Sequence, residues 1–150
     1  FKFIEKSFES NVSQVNIASS WRLRVQQTYI IVGELIEQGN LKLALETVFD
    51  VVRAANRYFD EREPWKYAKT DEDHAKETLA TCTYIIQNVG QLLHPFLPFA
   101  SQEISKMIGH PLDSWDEIIQ LPIKLADVKP LYERIDVTCI EVEKQKLYDQ

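Results

Sequence analysis

The sequence predicts an all-α fold, an antiparallel bundle of helices, from three observations. Apolar residues recur with the 3.6-residue helical period over long segments. Only 4 of the 150 residues are glycine, while 45% are hydrophobic. A chain of this length forms one ordinary domain with a substantial core. Long amphipathic helices joined by short connections favour an antiparallel bundle, because each helix has to bury its apolar face against a neighbour.

The N-terminal segment predicts the end of one helix and the start of the next. Residues 1–8 resemble the last turns of a helix that begins upstream, so we expect the chain to be part of a longer protein. Residues 9–19 are polar and aperiodic, which predicts a loop. Ser19 or Ser20 can cap the following helix. Its apolar face is predicted to contain Trp21, Val25, Thr28, Val32 and Leu35, widened by Tyr29 and Ile36.

The next predicted helix has the most regular pattern in the chain. Gly39 ends its predecessor, and the Asn40 side chain can cap its first turn. Pro64 stops it, because proline lacks the backbone N–H of the helical ladder and moves Glu63 out of the helical region. Its apolar stripe is predicted to be Leu41, Leu45, Val48, Val52, Ala55 and Phe59. Its opposite, solvated face is predicted to contain Arg53, Arg57 and Asp60.

Two further helices follow a short basic connection, residues 66–69. Thr70 or Asp71 can cap the first of them, and acidic residues in its first turn complement the helix dipole. Its apolar row is predicted to be Ala75, Leu79, Cys82, Ile86, Val89 and Leu93. Residues 94–98 contain two prolines and break this helix. Residues 99–108 form the next helix, which ends at Gly109.

The C-terminal part of the chain has a less regular pattern. Residues 114–117 are predicted to begin a short helical turn. The prolines and mixed pattern of residues 121–134 predict an extended strip over the bundle, and residues 137–147 predict a final polar helix. We therefore divide the chain into a helical bundle over residues 1–120 and a C-terminal strip and helix over residues 121–150, which packs back on the bundle or toward another part of the longer protein.

Composition limits the functional classes that fit. No stretch reaches the roughly 18 uninterrupted apolar residues of a membrane span, so we expect no membrane contact. Cys82 and Cys139 lie far apart without a Cys-x-x-Cys pair, which favours reduced, structural thiols in a cytoplasmic protein. The net charge of −6 argues against a protein that holds nucleic acid mainly through its phosphates. RNA binding would need a local basic patch and specific stacking.

No pattern in the sequence predicts catalysis or metal binding. His74 follows an acidic helix start and is expected to be exposed, while His94 lies at a helix end, where a capping role is favoured. Residues 108–110, Ile-Gly-His, match the end of a His-Ile-Gly-His nucleotide motif. Met107 replaces its first histidine, and the tripeptide follows a helix instead of a strand. We therefore expect no catalytic residue, no metal ligand and no cofactor site in this chain.

One stretch points to binding. Trp65 directly follows the proline stop, and basic side chains lie on both sides of it. A stiff neighbour at a helix end suits the presentation of a flat ring to an unpaired base. The alternative is that Trp65 closes the core as a lid. The local pattern alone favours the lid, since surface-displayed tryptophans are uncommon.

Residues 55–61, Ala-Asn-Arg-Tyr-Phe-Asp-Glu, followed by Pro64-Trp65, resemble the anticodon-binding domain of methionyl-tRNA synthetases, a class I aminoacyl-tRNA synthetase family. Residues 3–8 are similar to the end of that family's first anticodon-domain helix. Residues 93–98, Leu-His-Pro-Phe-Leu-Pro, resemble a proline-broken segment that class I synthetases share. Residues 130–135 are similar to the C-terminal strip that folds back toward the catalytic part. The resemblance covers residues 1–147.

The resemblance implies a function at the anticodon of a tRNA. The parent enzyme would activate methionine with ATP and transfer it to its tRNA, and both small molecules would bind in a catalytic domain outside this chain. This domain would read the CAU anticodon and contact that catalytic domain. The tryptophan that matches Trp65 would stack on the first anticodon base, and Pro64 would shape the surface. The resemblance therefore reverses the preference for a core lid.

Four more residues belong to the predicted RNA-binding set. Arg57 and Lys66 are expected to hold phosphates of the anticodon loop, with a solvated face as the equal alternative. Tyr58 either packs under Trp65 or contacts RNA, and Asn56 is expected to form a structural hydrogen bond near the helix end. The family also reads anticodon bases with an Asn and an Arg that would lie upstream of residue 1. We therefore expect this chain alone to bind tRNA weakly.

Two alternatives stay open at this point. One is the anticodon domain of another class I synthetase. The other is a helical protein-interaction module in which Trp65 anchors in a partner's groove. The acidic net charge fits this second alternative at least as well.

Overall fold

The computed structural model describes residues 17–122 and residue 145, and five helices lie in this part of the chain. In chain order they are α1 (Ser19–Glu37), α2 (Leu41–Arg62), α3 (Pro64–Tyr67), α4 (Glu72–Leu92) and α5 (Pro98–Ile108). Helix α4 is central and packs against each of the other four. The predicted all-α fold class is confirmed. In the described part, no helix combines the length and apolar composition needed to cross a membrane.

Several predictions fall outside the described residues. They are the helix end at residues 1–8, the strip and final helix within residues 123–150, and the state of Cys139. The division at residue 120 also stays a prediction. The first two residues after this predicted boundary, Leu121 and Pro122, are buried, and Leu121 belongs to the main hydrophobic core.

Helix α1 begins without the predicted serine cap. Ala18 precedes its first residue and no side chain caps it, so the prediction for Ser19 or Ser20 is wrong. The Ala18 N–H instead donates to the Thr81 hydroxyl at 3.1 Å, which fixes the start of α1 to α4. The predicted apolar face is otherwise confirmed: five of its members are buried, namely Trp21, Val25, Thr28, Tyr29 and Val32.

Helix α2 has the predicted ends but a rotated core face. The Asn40 side chain accepts a hydrogen bond from the Leu43 N–H at 3.4 Å, as predicted, and the helix ends at Arg62 just before Pro64. The predicted stripe is wrong at its start, because Leu41 is 54% exposed. The buried residues of this helix are Ala44, Val48 and Val51.

Helix α4 is buried far more widely than predicted. Asp71 caps it by accepting from the His74 N–H at 3.1 Å, which confirms one of the two predicted caps. The predicted single apolar row is too narrow, since residues 78–92 are buried except Ile86. Hydroxyl groups on this helix donate to carbonyls one turn earlier, for example Thr83 to Leu79 at 2.8 Å. Such internal bonds let a polar side chain enter the core without an unsatisfied group.

The segment before residue 122 is irregular and is held by α4. The predicted helical turn at residues 114–117 is wrong, since these residues form bends and loop. Amide side chains of α4 donate to the backbone carbonyls of this segment: Gln91 to Asp116 at 2.6 Å, Asn88 to Ile118 at 3.0 Å, and Gln87 to Gln120 at 3.2 Å. Because these carbonyls accept from α4, they are not free to build a helical ladder.

Candidate nucleic-acid interface

The chain turns sharply between α2 and α3 at Glu63. This residue is in the left-handed region, with φ 43° and ψ 52°, instead of the extended conformation expected before proline. Its N–H donates to the Phe59 carbonyl at 3.2 Å, and its carbonyl accepts from the Lys66 N–H at 2.9 Å. Pro64 is buried as the first residue of α3. The backbone on both sides of Trp65 is therefore fixed by hydrogen bonds.

The Trp65 ring is supported on one side and open on another. Its centroid lies 5.5 Å from that of Phe59, with an interplanar angle of 54°. Its exposed fraction is 44%, whereas Trp21 on α1 is 7% exposed. A tryptophan that closed the core would be buried like Trp21. Part of the Trp65 ring is instead accessible to a flat ligand.

The basic residues around this turn differ in how their charges are compensated. The Lys66 ammonium lies 2.6 Å from the Glu63 carboxylate, and the Arg53 guanidinium pairs with Asp50. Arg57 is exposed and has no ion pair among the described residues. Of the two residues predicted to hold phosphates, only Arg57 is without an ion pair within the described part of the chain, although Asp60 and Glu61 follow one turn later on the same helix. Lys66 would have to break its ion pair with Glu63 before it could bind a phosphate.

Tyr58 and Asn56 lie on different sides of α2. The Tyr58 ring packs edge-on against Trp21, with centroids 5.5 Å apart, and its hydroxyl is buried. Burial raises the pKa of Tyr58. Packing, one of its two predicted roles, therefore has contacts in the structure, although with Trp21 instead of Trp65. Asn56 is exposed, and its side chain has no hydrogen-bond partner among the described residues, so the predicted structural bond is not found there.

The remaining polar candidates of the sequence analysis have structural roles. His74 is half-buried and packs on Tyr67, with ring centroids 4.5 Å apart, so its expected exposure is wrong. His94 lies just after α4, with its Nδ1 3.3 Å from the Ser101 hydroxyl of α5. Burial raises the pKa of the Cys82 thiol to about 12, which keeps it protonated and unreactive at neutral pH.

Sequence reasoning missed the role of Arg62. Its Nε donates to the Thr78 hydroxyl at 3.1 Å, and its guanidinium lies 3.6 Å from the Glu77 carboxylate. Both partners are on α4, across a turn and a short helix, so no local spacing connects them to Arg62. The one feature of the sequence that could have indicated this role is the position of Arg62, as the last residue of α2 before the turn that carries Trp65.

Residues 21–146 match the family described as the anticodon-binding domain of methionyl-tRNA ligase. The chain belongs to this family. The resemblance found at residues 55–65 is thereby confirmed. The domain is 45% identical over 147 residues to the methionine–tRNA ligase of Bacillus mycoides (strain KBAB4), a match that covers 98% of this chain and 27% of that protein. It is 41% identical over 146 residues to the enzyme of Streptococcus pneumoniae (strain CGSP14), covering 97% and 27%.

The anticodon-binding domain thus spans about a quarter of the length of these relatives. Its fold is also found in a solved structure, the free form of Mycobacterium tuberculosis methionyl-tRNA synthetase. That match has a TM-score of 0.76 and 17% identity, and it covers 89% of this chain and 30% of the other. The helical architecture is therefore shared even where the sequences have diverged.

Proposed function

We propose that this anticodon-binding domain reads the CAU anticodon of methionine tRNA, with the first anticodon base stacked on Trp65. The observation that supports this most strongly is the state of the Trp65 ring. It is 44% exposed, supported from behind by Phe59, and carried by a turn that Pro64 stiffens. Stacking of a base on such a ring is typically worth about 1–3 kcal/mol. The π-face of a preorganised ring is ready for a base without reordering of the backbone.

The domain would supply tRNA selection to a larger enzyme and no chemistry of its own. The relatives that it matches are methionine–tRNA ligases of which it spans 27%. We propose that the parent is a cytoplasmic ligase that couples methionine to its tRNA with ATP. The catalytic domain of that parent would bind methionine and ATP and would contact this domain.

The charges near Trp65 would position the anticodon loop. Arg57 is the stronger candidate for a phosphate contact, because it is exposed and forms no ion pair with a described residue. Lys66 would join it by exchanging the Glu63 carboxylate, 2.6 Å away, for a phosphate. Asn56, exposed and without a described partner, is free to meet a base edge, whereas Tyr58 would support the surface from below. With a chain charge of −6, such local contacts have to act together with stacking.

The test uses the full-length parent enzyme with Trp65→Leu, which removes the ring, and Trp65→Phe, which keeps one. Methionine activation, measured by ATP–pyrophosphate exchange, and charging of methionine tRNA are assayed side by side. We expect normal activation in both variants. Charging by the leucine variant should fall about tenfold or more, equivalent to roughly 1.4 kcal/mol, while the phenylalanine variant keeps most of it.

Other outcomes would contradict the proposal in different ways. Full charging by the Trp65→Leu variant would remove the base-stacking role. Charging that stays intact while a protein contact is lost would favour a protein-interaction module. Absence of methionine activation in the unmodified parent would refute the proposed ligase activity.

A further inference from the structure

We infer that Arg62 is a positioning residue for Trp65. It holds the indole ring of Trp65 in the orientation needed to stack on a base. This inference rests on the proposed function, since it concerns the same surface. Arg62 is the last residue of α2, and Trp65 follows on α3. The side chain of Arg62 does not point along the turn. It crosses to α4.

Three contacts define the place of Arg62. Its Nε donates to the buried Thr78 hydroxyl at 3.1 Å, and its guanidinium forms an ion pair with Glu77 at 3.6 Å. The same guanidinium lies over the ring of Tyr58, 5.9 Å from its centroid. Thr78 in turn donates to the His74 carbonyl at 2.9 Å. Arg62 therefore links the last turn of α2 to the first two turns of α4.

The contact continues through the bundle as two packed rings with a cation at each end. Tyr58 packs edge-on against Trp21, with centroids 5.5 Å apart, and the Arg24 guanidinium lies 5.3 Å from the Trp21 ring centroid. The order is Arg24, Trp21, Tyr58, Arg62. The row lies on α1 and α2, and the contacts of Arg62 with Thr78 and Glu77 join it to α4. Cation–π contacts contribute more where they are partly shielded from water, and the Arg62 side chain is only 31% exposed.

The position of the Trp65 ring depends on the contacts of Arg62 with α4, through Phe59 and through α3. The ring rests on Phe59, which belongs to the last turns of α2, and helix α3 packs against α4. Glu63, which lies between Phe59 and Trp65 in the chain, is held in a left-handed conformation that a non-glycine residue adopts only under constraint. If α2 moved relative to α4, Phe59, which supports the Trp65 ring, would move away from α3, which carries Trp65. Arg62 opposes that movement.

A direct phosphate contact would be the other use of an arginine at this place. The geometry favours positioning, because the charge of Arg62 is already compensated by Glu77 and its Nε by Thr78. Arg57 is exposed and lacks such partners among the described residues, which makes it the appropriate comparison. A positioning residue should act through Trp65, whereas a phosphate ligand should act independently of it.

The experiment is a double-mutant cycle in the full-length parent enzyme. Arg62→Met, which keeps the length of the side chain without its charge, is combined with Trp65→Ala, and Arg57→Ala is combined with Trp65→Ala as the control. We expect Arg62→Met to lower kcat/KM for tRNA charging about three- to tenfold through KM, as part of the stacking effect, with methionine activation unchanged. In the Trp65→Ala background it should cause no further loss. Arg57→Ala should weaken charging equally in both backgrounds.

A milder variant keeps the test decisive if Arg62→Met loses folded protein in a thermal melt. Glu77→Gln leaves Arg62 in place and removes its ion pair, and it should lower kcat/KM in the same direction by a smaller factor. Full additivity of Arg62→Met with Trp65→Ala, with a flatter salt dependence, would assign Arg62 to a phosphate and overturn the inference. Unchanged charging by the Arg62 and Glu77 variants, when Trp65→Ala is impaired, would overturn it and leave the proposed function intact. Unimpaired charging by Trp65→Ala would overturn both.

Discussion

Helix α4 and the turn between α2 and α3 use polar residues in opposite ways. On α4, threonines and amides are buried, and their donors reach backbone carbonyls of the same helix or of residues 116–120. On α2 before the turn, Arg57 and Asn56 are exposed, and within the described chain neither has a side-chain partner, whereas Arg62 and Lys66 at the turn itself are paired with Glu77 and Glu63. Both regions are rich in polar residues in the sequence. Residues that are satisfied internally hold the fold, and those without partners are available for a ligand.

The largest effect should come from the α4 side of this comparison. Leu79 is 1% exposed in the core, so Leu79→Ala should lower the free energy of unfolding by about 2–5 kcal/mol. Trp65→Ala should lower it less, because the Trp65 side chain is 44% exposed. Chemical denaturation of the 150-residue chain measures both values. Equal destabilisation would mean that the turn is as much a part of the core as α4.

A smaller effect should appear at Glu117, which α4 and α1 hold together. Burial raises the pKa of this carboxyl group, but hydrogen bonds from Tyr84, Gln26 and Arg22 and the charge of Arg22 outweigh burial, so the pKa is lowered overall. The unfolded chain therefore takes up a proton at higher pH than the folded one. The stabilisation is complete above the ordinary pKa of 4.5 and is lost as the pH falls through the lowered folded value.

Glu117→Gln should remove that part of the acid dependence and cost roughly 1–2 kcal/mol at neutral pH. Unfolding midpoints in denaturant between pH 7 and the acid limb measure the difference. Asp113→Asn, at an exposed carboxylate in the same segment, is the control. An unchanged pH profile for Glu117→Gln would show that this carboxylate does not stabilise the contact with α4.

The first turn of α4 lies where the two regions meet and gives the next prediction. Asp71→Ala removes the cap bond to the His74 N–H, 3.1 Å long, and should cost about 1 kcal/mol of unfolding free energy. Thr70→Ala, at the neighbouring residue that does not cap the helix, should cost less than about 0.5 kcal/mol. Denaturation curves of the two variants would contradict the assignment of the cap if their order were reversed.

The smallest expected effect concerns charge at the turn. Arg57→Ala should weaken tRNA binding by the parent enzyme alike across tRNA sequences and reduce the salt slope by about one unit. Lys66→Ala should change the slope less, because the ammonium is paired with Glu63 at 2.6 Å before RNA binds. Binding titrations over a salt series measure both slopes. A larger change for Lys66 than for Arg57 would show that the ion pair with Glu63 does not reduce the contribution of Lys66 to phosphate binding.

Local signals in the sequence predicted the ends of helices well. Asn40, Asp71, Pro64 and Gly109 each act through a short-range rule of capping or backbone conformation, and the helices begin or end beside them. The serine cap of α1 failed because the helix begins at Ser19 itself, which leaves Ala18 in the cap position with its N–H donated to Thr81.

The features that could not be predicted from the sequence depend on contacts between residues that are distant in the chain. The burial of the polar residues of α4 could not be predicted, since the segment that accepts their amide hydrogens lies about 30 residues away. Arg62 was grouped with the other basic residues, because its partners on α4 cannot be inferred from spacing. For Trp65, by contrast, the local pattern favoured a buried core lid and only the family resemblance favoured a displayed ring, which is 44% exposed.

The most direct test of the central claim removes the base instead of the ring. Binding of the full-length parent, unmodified or with Trp65→Ala, is measured for methionine tRNA and for the same tRNA with an abasic first anticodon position. If that base stacks on Trp65, its removal should weaken binding by the unmodified enzyme about tenfold, within the roughly 1–3 kcal/mol of one stack, and should not weaken binding by the variant further. Equal losses for the two proteins would contradict the account, because the base would then be held elsewhere.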